Sequence, residues 1–526
     1  MSDVLLLTDV FESFRNMART TFDLEPLHYY SLPGFSWDAA LKYTGVRIEL
    51  IKDIDMHIML NKGKRGGIST ITHRRAKANN PEVPGYDPSK PLVYLMYLDA
   101  NGLYAWAMQQ PLPLGGFKWV PVENFNLSML GKEKGYILEI DSECDDEFHD
   151  KLNDYPLAPE KMSVTCEMLS PLQQRMTKSC GNVEKLIPNL NRKTKYVIHH
   201  RVLQKYIELG MRVTKIHRVI EFIETPWLKP FIKLTTRMRK EATQAGDDAG
   251  ASMFKLMSNA VFGKACENLE KRANVELVTS SKTLKKRLAK PNFKRSKIFR
   301  EDLVGVELTH TKIVLKRPMH VGFAILEISK TLMYEFHYDK WMPKFPEAKL
   351  LFTDTDSLCY MVNRNPYELM GAMSDEFDFS EYPKTHPLYD KTNMKVLGKM
   401  KDECKGQQLV NFIGLRPKLY SMQKLEFNKN TETLELTNDI KAKGLTKAVR
   451  TKQLKFEDFE KCVKDQQVKI ITQRTIGSSF HKLYSYETNK IGLSAADDKR
   501  WICEDGVSTL AHGHYKLRNL IASKAT

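Results

Sequence analysis

The stretch that decides the fold of this chain reads Lys349-Leu-Leu-Phe-Thr-Asp-Thr-Asp-Ser-Leu-Cys-Tyr-Met-Val362. Two short apolar runs flank a polar centre, and this pattern predicts a β-hairpin that presents Asp354 and Asp356 together. Two carboxylates in such a setting repel each other and lose hydration unless a cation compensates them. A hard divalent metal such as Mg²⁺ meets this need, although the string taken alone is more often a turn with capping acids.

Two further segments carry enough order to place chemistry on them. Leu92 to Leu98 is a continuous apolar run, typical of a strand buried on both faces, and Asp99 lies at its end. Gly250 to Asn268 is predicted to be a helix with one apolar side. Its other face carries three residues at i, i+4 and i+7 spacing, namely Lys255, Asn259 and Phe262. Asp99 would join the two hairpin acids in holding a pair of ions for phosphoryl transfer.

The composition favours a globular protein that binds a polyanion. Of 526 residues, 42% are hydrophobic, and 81 Lys and Arg against 64 Asp and Glu leave a net charge of +17. Nucleic acid is therefore the first partner expected. No apolar run reaches the roughly 18 residues of a membrane span, and the N-terminus lacks a secretory signal. An intracellular protein with no membrane partner is expected, and the sequence does not distinguish the nucleus from a viral replication site.

Other residues with metal-binding side chains are expected to be structural. The eight cysteines are scattered, with no pair at CxxC spacing, and each is expected to be reduced and partly buried. The pairs His199/His200 and His512/His514 lack a cysteine or acid at ligand spacing, so they are expected to be structural or solvated.

Four strings of residues follow one another in order along the chain. They are Asp99-Ala-Asn-Gly-Leu-Tyr104, Lys255-Leu-Met-Ser-Asn-Ala-Val-Phe-Gly263, Thr353-Asp-Thr-Asp-Ser357 and Lys418-Leu-Tyr420. They resemble motif A, motif B, motif C and the thumb KxY motif of the family B DNA polymerases, specifically the viral, organellar and transposon branch that includes the protein-primed enzymes. Since each motif supplies a different part of one reaction centre, this resemblance outweighs the interpretation of the paired acids as a plain turn.

The resemblance implies a role for each matched residue. The catalytic acids would be Asp99, Asp354 and Asp356, with Asp99 and Asp356 as the principal ligands of two Mg²⁺ ions, for which Mn²⁺ could substitute. The nucleotide-binding set would be Ala100, Tyr104, Lys255, Asn259 and Phe262, in which Lys255 faces the triphosphate and Tyr104 lies under the sugar. The DNA-binding set would be Gly66, Gly67, Lys418, Tyr420 and Lys443.

The chain departs from the family pattern at five motif positions without losing a metal ligand. The departures are Gly102 for Ser, Ala105 for Pro, Ala260 for Ser, Phe262 for Tyr and Phe352 for Tyr. The missing hydroxyl of Phe262 puts fine nucleotide selection in doubt. Three cations before motif B, namely Arg237, Arg239 and Lys240, rank second as triphosphate contacts, since an exposed helical face explains them almost as well.

The fold implied is α+β, a right-hand polymerase with an antiparallel palm sheet, helical fingers and a mixed thumb. The expected divisions are a C-terminal remnant of an exonuclease domain at 1–60, a glycine-motif linker at 61–90, palm with motif A at 91–111, a first insertion at 112–192, palm helix and fingers with motif B at 193–270, a second, basic insertion at 271–304, palm with motif C at 305–404, and thumb at 405–526. Asp3 resembles the carboxylate of a third exonuclease motif, so the chain is expected to be the polymerase portion of a longer enzyme.

The expected function is DNA-dependent DNA synthesis by two-metal nucleotidyl transfer, in replication of a viral or transposon genome. The expected partners are primer-template DNA, deoxynucleoside triphosphates and, for initiation, a terminal priming protein, which in the protein-primed branch docks on the first insertion. The alternative is a catalytically inactive nucleic-acid-binding remnant of a mobile-element polymerase. Primer extension with Mg²⁺ separates the two.

Overall fold

The structure, a computed structural model, describes residues 2–177, 181, 183–428, 433–479 and 482–522. The α-helices are α1 Ser2–Phe22, α2 Leu32–Thr44, α3 Ile54–Gly63, α4 Leu103–Met108, α5 His149–Leu152, α6 Pro171–Met176, α7 His200–Glu208, α8 Lys229–Gln244, α9 Asp248–Ala265, α10 Ser281–Leu288, α11 Met319–Tyr334, α12 Pro366–Ala372, α13 Lys447–Gln453, α14 Phe456–Lys464 and α15 Tyr515–Ala522. Short 3₁₀ turns lie at Pro26–His28, Val122–Asn124, Leu127–Met129, Asp146–Phe148, Cys166–Met168, Leu269–Lys271 and Ser374–Glu376, and α11 continues into a π-helix at Glu335–Trp341.

The β-strands outnumber the helices and are mostly short. They are β1 Ser69–Ile71, β2 Arg75–Lys77, β3 Tyr94–Ala100, β4 Leu112–Val120, β5 Gly135–Cys144, β6 Glu160–Met162, β7 Lys185–Ile187, β8 Lys193–His199, β9 Met211–Thr225, β10 Asn274–Val278, β11 Phe293–Arg300, β12 Leu303–Leu308, β13 Lys349–Asp354, β14 Ser357–Val362, β15 Met400–Asp402, β16 Leu409–Arg416, β17 Leu419–Asn428, β18 Thr433–Ala442, β19 Lys469–Ser479, β20 Lys482–Leu493, β21 Trp501–Ile502 and β22 Thr509–Leu510.

The central sheet has the strand order β1-β13-β14-β3-β15, and every pairing in it is antiparallel. Its strands read as apolar runs because both faces are covered: the neighbours Leu350 and Leu351 point to opposite faces, and each is at most 1% exposed. The predicted hairpin of β13 and β14 is confirmed. The predicted strand before Asp99 is confirmed as β3, which begins at Tyr94 and includes Asp99.

Helices α8 and α9 pack together beside this sheet. Helix α9 begins at the cap of Asp247, whose carboxylate accepts a hydrogen bond from Gly250 N at 2.8 Å. One face of α9 is buried through Phe254, Met257, Val261 and Ala265, while Lys255 and Asn259 on the other face are exposed. The predicted helix and its two faces are confirmed, although the helix ends at Ala265, three residues earlier than expected.

A second sheet, of order β4-β9-β5-β8, is built from residues 112–225. The boundary expected at residue 192 lies within this sheet, because β8 and β9 pair with strands that precede that residue. A third sheet, of order β10-β12-β11, forms a small unit with α10 between α9 and α11 in the sequence. Both units are therefore antiparallel sheets that are separate from the central sheet.

The C-terminal part combines the sheet β18-β17-β16-β2 with α13, α14 and the two-stranded ribbon β19–β20. Strand β2 follows β1 of the central sheet in the sequence and joins the C-terminal sheet by pairing with β16. The guanidinium of Arg74, which is 2% exposed, donates to the backbone oxygens of Leu415, Ala495 and Gly506. The mixture of helices and antiparallel sheets confirms the predicted α+β class.

The cysteines differ in their bonding. Cys166 forms a disulfide bond, which corrects the expectation of a reduced thiol there, since sequence spacing does not show which thiols the fold brings together. The free cysteines are Cys144, Cys266, Cys359, Cys404, Cys462 and Cys503, and Cys180 lies outside the described residues. Within the described ranges, no helix is long and apolar enough to span a membrane.

Candidate active site

The predicted catalytic acids meet on adjacent strands of the central sheet. Asp99 on β3 lies opposite Ser357 on β14, and Ala100 N donates to Asp356 O at 2.7 Å. At the turn of the hairpin, Asp356 N donates to Asp354 O at 2.8 Å, and Thr355 between them has a left-handed φ of 66°. Strand pairing therefore brings together carboxylates that are 257 positions apart, as 356 minus 99 shows.

Burial and mutual repulsion shift the protonation of these acids. Desolvation, with the charge of Asp356 second, raises the pKa of Asp99 from its ordinary value of 3.8 to about 7. Desolvation also raises the pKa of Asp356. Burial and mutual repulsion make the charged forms of both acids less favourable, and a cation bound between them would compensate for this. The donor set consists of hard carboxylate oxygens, and it fits Mg²⁺ or Mn²⁺ held by Asp99 and Asp356.

A lysine that the sequence did not single out as a site residue stands beside the acids. Lys401 Nζ lies 3.4 Å from Asp99 Oδ1 and 2.5 Å from Glu403 Oε1. It reaches them because β15 pairs with β3 and places Lys401 opposite Asp99. Its charge lowers the pKa of Asp99 and so opposes the larger effect of burial. The sequence signal for it is the charged run Lys399 to Glu403, but no local pattern shows that the strand Met400–Asp402 pairs with the strand of Asp99.

A cavity of about 420 Å³ opens in front of the acids, large enough for a nucleotide. The palm side is lined by residues that include Asp99, Ala100, Tyr104 and Asp356, and the helical side by residues that include Arg239, Lys255 and Asn259. Motifs A, B and C therefore face one cavity. Asp99 and Asp356 lie on one wall, while Arg239 and Lys255 lie on the other.

Two aromatic rings occupy the floor of this region. The rings of Tyr104 and Phe262 are stacked, with centroids 4.5 Å apart and planes inclined by 13°. Burial raises the pKa of the Tyr104 hydroxyl to about 12, so this phenol stays neutral at physiological pH. Phe262 contributes ring area only, and the stack needs no hydroxyl from it.

The departure of motif A at Gly102 has a steric explanation. Gly102 has a φ of 54°, in the left-handed region that glycine adopts without strain. A Cβ at this position would lie 2.8 Å from Leu397 Cδ2, closer than van der Waals contact allows. The loop that carries Leu397 thus fills the space that a serine side chain would take.

The two glycines expected to contact DNA differ in their surroundings. A Cβ on Gly66 would meet nothing within 4 Å, whereas a Cβ on Gly67 would lie 2.4 Å from Thr355 Cγ2 and Oγ1. Thr355 N also donates to Ile68 O at 2.7 Å. Gly67 therefore packs directly on the turn between Asp354 and Asp356, a contact that sequence analysis did not anticipate.

The residues of the KxY motif lie beneath and beside the hairpin. Lys418 Nζ lies 3.1 Å from Asp354 Oδ1, and Lys443 N donates to Lys418 O at 3.1 Å. The ring of Tyr420 is 3% exposed and stacks on Phe352 with centroids 4.6 Å apart. Lys418 is thus paired with an acid of the hairpin, Lys443 is exposed next to it, and Tyr420 supports the hairpin from below. Their contact with DNA stays a prediction.

A separate group of ligand-type side chains lies in the second sheet. His199, His200 and Glu224 come close enough to share an ion. The centroids of the two imidazole rings lie 4.5 Å apart with planes inclined by 34°. Glu224 is paired with Arg201 at 2.9 Å and lies 3.5 Å from His200 Nε2. Glu224 thus has a cationic partner within the protein, and the structural role expected for the two histidines stays a prediction.

Comparison with known proteins agrees with this geometry. Residues 87–337 match the family of DNA polymerase type B, organellar and viral. Phi29 DNA polymerase complexed with primer-template DNA and incoming nucleotide substrates matches with a TM-score of 0.53 and 14% identity, over 88% of this chain and 68% of that chain. The orthorhombic crystal form of Phi29 DNA polymerase matches with a TM-score of 0.54 and 14% identity, over 89% and 69%. No curated protein matches the chain. The predicted right-hand fold and the resemblance to family B are thereby confirmed.

Proposed function

We propose, on the premise that family and fold together indicate a DNA polymerase of the organellar and viral type B branch, that this chain performs template-directed DNA synthesis by two-metal nucleotidyl transfer. The observation that carries the proposal is that strand pairing brings Asp99 beside the hairpin turn of Asp354 and Asp356, and that Asp99 and Asp356 line one cavity with Lys255. Each matched motif supplies a different part of this one centre.

The proposed residues have different roles in the reaction. Asp99 and Asp356 would hold two divalent ions, which when bound supply an activated primer 3′-hydroxyl and charge neutralisation at the triphosphate. Lys255 would attract the triphosphate from the opposite wall, and Tyr104 would lie against the deoxyribose. Lys418 and Lys443 would hold the primer strand through its phosphates, and Gly66 would let the template backbone approach the linker.

Extension of an annealed primer with Mg²⁺ and the four deoxynucleotides tests the proposal. We expect templated products that depend on the metal and disappear with a chelator. DNA binding without any extension, in Mg²⁺ and in Mn²⁺, would favour the inactive nucleic-acid-binding remnant instead. Initiation on a terminal priming protein stays a prediction from the resemblance, and transfer of a labelled nucleotide to a protein hydroxyl would measure it.

Replacing Tyr104 with Val is expected to relax discrimination against ribonucleotides. The Tyr104 ring, held in place by Phe262, would occupy the space that a ribose 2′-hydroxyl needs, so removing it creates room for that group. We expect ribonucleotide incorporation relative to deoxynucleotide incorporation to rise by about 10-fold or more, measured as the ratio of kcat/KM values. A ratio that stays at its wild-type value would rule out a steric gate at Tyr104.

Metal binding is expected to weaken as the pH falls below about 7, because Asp99 has a pKa of about 7 in the metal-free chain and must lose its proton to bind an ion. The apparent Mg²⁺ affinity should fall about tenfold per pH unit below that value and level off above it. The raised pKa also makes the metal-free chain less stable as the pH rises from 3.8 towards about 7.

Calorimetric titration of Mg²⁺ in buffers of different ionisation enthalpy measures the released proton directly. Lys401→Met removes a charge that lowers the pKa of Asp99, so it should move the pH dependence upward. No proton release between pH 6 and 8 would contradict the assignment.

A further inference from the structure

Four cations line the active-site cavity, and they differ in their partners. Lys401 is paired with Asp99 and Glu403. Among the residues that the structure describes, no carboxylate lies within ion-pair distance of Arg239, Lys255 or Lys395. Burial is the largest influence on both groups and lowers the pKa of Arg239 and of Lys395. For Lys395 the charges of Glu381, Asp378 and Asp248 act in the opposite direction but do not offset burial. Unpaired cations in a partly buried wall favour an anionic ligand.

The backbone conformation of Lys395 and its hydrogen bond to Asp378 fix this residue in the cavity wall. Its φ is 57°, in the left-handed region that costs a residue other than glycine about 1 kcal/mol or more. Lys395 N donates to Asp378 Oδ2 at 2.8 Å, and Asp378 is 4% exposed. A strained position that a buried carboxylate fixes is typical of a functional residue.

The loop that carries Lys395 is also fixed to motif A. The carboxylate that accepts from Lys395 N also accepts from Asn101 Nδ2 at 2.7 Å. Gly398 N donates to Asn101 O, and Asn101 N donates to Lys399 O, both at 2.8 Å. Since Asn101 follows Asp99 by two positions on the same strand end, Lys395 keeps a set position relative to the metal-binding acids.

The ammonium group of Lys395 faces helix α8. Its Nζ donates to Thr243 Oγ1 at 3.0 Å, and it has further N–H donors to offer. Arg239 lies one turn before Thr243 on the same face of α8, and its charge lowers the pKa of Lys395. Two neighbouring like charges with a shared hydroxyl contact, and no carboxylate within ion-pair distance among the described residues, suit a ligand that carries several negative charges.

We propose that Lys395 is a further triphosphate-binding residue, which holds the phosphates of the incoming nucleotide from the loop beside motif A, while Arg239 and Lys255 contact them from the helical side. This inference rests on the proposed polymerase function and extends it to a residue outside the four motifs. The ligand class is a nucleoside triphosphate, or the polyphosphate part of one. In the absence of nucleotide, Thr243 occupies one donor of the ammonium group.

Steady-state primer extension with the full chain tests the role of Lys395. Lys395→Asn removes the charge, and Asn tolerates the left-handed backbone, so the variant should fold. We expect the KM for deoxynucleotide to rise about 10- to 100-fold, while kcat and the Kd for primer-template DNA change less than about threefold. Lys395→Arg should retain most of the affinity. The matched control Lys391→Asn makes the same change at an exposed position of the segment before Lys395 and should leave all three constants unchanged.

Two further measurements separate a phosphate contact from a mere bridge between the loop and α8. Thr243→Val breaks the bond to Lys395 but leaves its charge, so it should leave the nucleotide KM within about twofold. If Thr243→Val reproduces the defect of Lys395→Asn, the lysine only joins the two elements and the inference is overturned. An unchanged KM in Lys395→Asn overturns it as well.

Calorimetric binding of magnesium tripolyphosphate needs no catalysis. We expect Lys395→Asn, but not Lys391→Asn, to weaken this binding about 10-fold or more. Suppose that the wild-type chain binds tripolyphosphate but does not extend primers, and that Lys395→Asn weakens this binding. The polymerase proposal then fails, and the polyphosphate site stands. Equal tripolyphosphate binding by the wild type and Lys395→Asn would show that Lys395 is not part of a polyphosphate site.

Discussion

Replacing Asp356 with Asn is expected to lower the rate of nucleotide incorporation by about 10³-fold or more, while the affinity for primer-template DNA stays within about twofold. Asp356 and Asp99 are the proposed metal ligands, and an amide oxygen carries no charge to hold a divalent ion. DNA affinity should survive because it comes from Lys and Arg contacts with phosphates, which this change leaves in place. Single-turnover extension and a DNA-binding titration measure the two quantities.

The control for this variant is Asp375→Asn, the same change at an exposed acid that does not line the cavity. It should leave the rate at the wild-type level. Asp356→Asn should also raise the melting temperature in the absence of metal, since the pKa of Asp356 is raised by burial and its charge raises the pKa of Asp99. A stable Asp356→Asn variant that extends primers at a near wild-type rate would mean that the catalytic acids lie elsewhere.

Replacing Gly67 with Ala is expected to reduce kcat by about 10²-fold. The new Cβ would lie 2.4 Å from both γ atoms of Thr355 and 2.8 Å from its Cβ, so no rotamer of Thr355 relieves the contact and its backbone must move. Thr355 lies between Asp354 and Asp356, and a displacement of about 1 Å in a catalytic group can cost this much. Burst kinetics and DNA binding should show that chemistry, rather than DNA affinity, is impaired.

The chain offers both a matched control and a rescue for this variant. Gly66→Ala adds the same methyl group where nothing lies within 4 Å, so it should leave kcat unchanged. Thr355→Gly removes the obstructing side chain at a position whose φ of 66° suits glycine, and combined with Gly67→Ala it should restore most of the activity. Failure of that rescue, or equal defects from Gly66→Ala and Gly67→Ala, would show that the contact between linker and hairpin does not control the acids.

The local elements around the site were predictable because each depends on a short range of sequence. The hairpin of β13 and β14, the strand β3 and the helix α9 follow from hydrophobic periodicity, and all three appear in the structure. Their ends were less predictable: α9 ends three residues before Asn268, and β8 and β9 continue a sheet across the boundary expected at residue 192. Strand pairing over long sequence distances decides such boundaries, and no local pattern records it.

By itself the sequence determined the order of the motifs and predicted the three carboxylates and the helix that carries Lys255, since those features depend on residue type and spacing. Only the tertiary structure decided which other residues stand beside them. Lys401 reaches Asp99 through the pairing of β15 with β3, Gly67 packs on Thr355 across β1 and β13, and the loop of Lys395 is fixed to Asn101 through Asp378. Each contact joins segments far apart in the chain, and its energy depends on burial and geometry that exist only after folding.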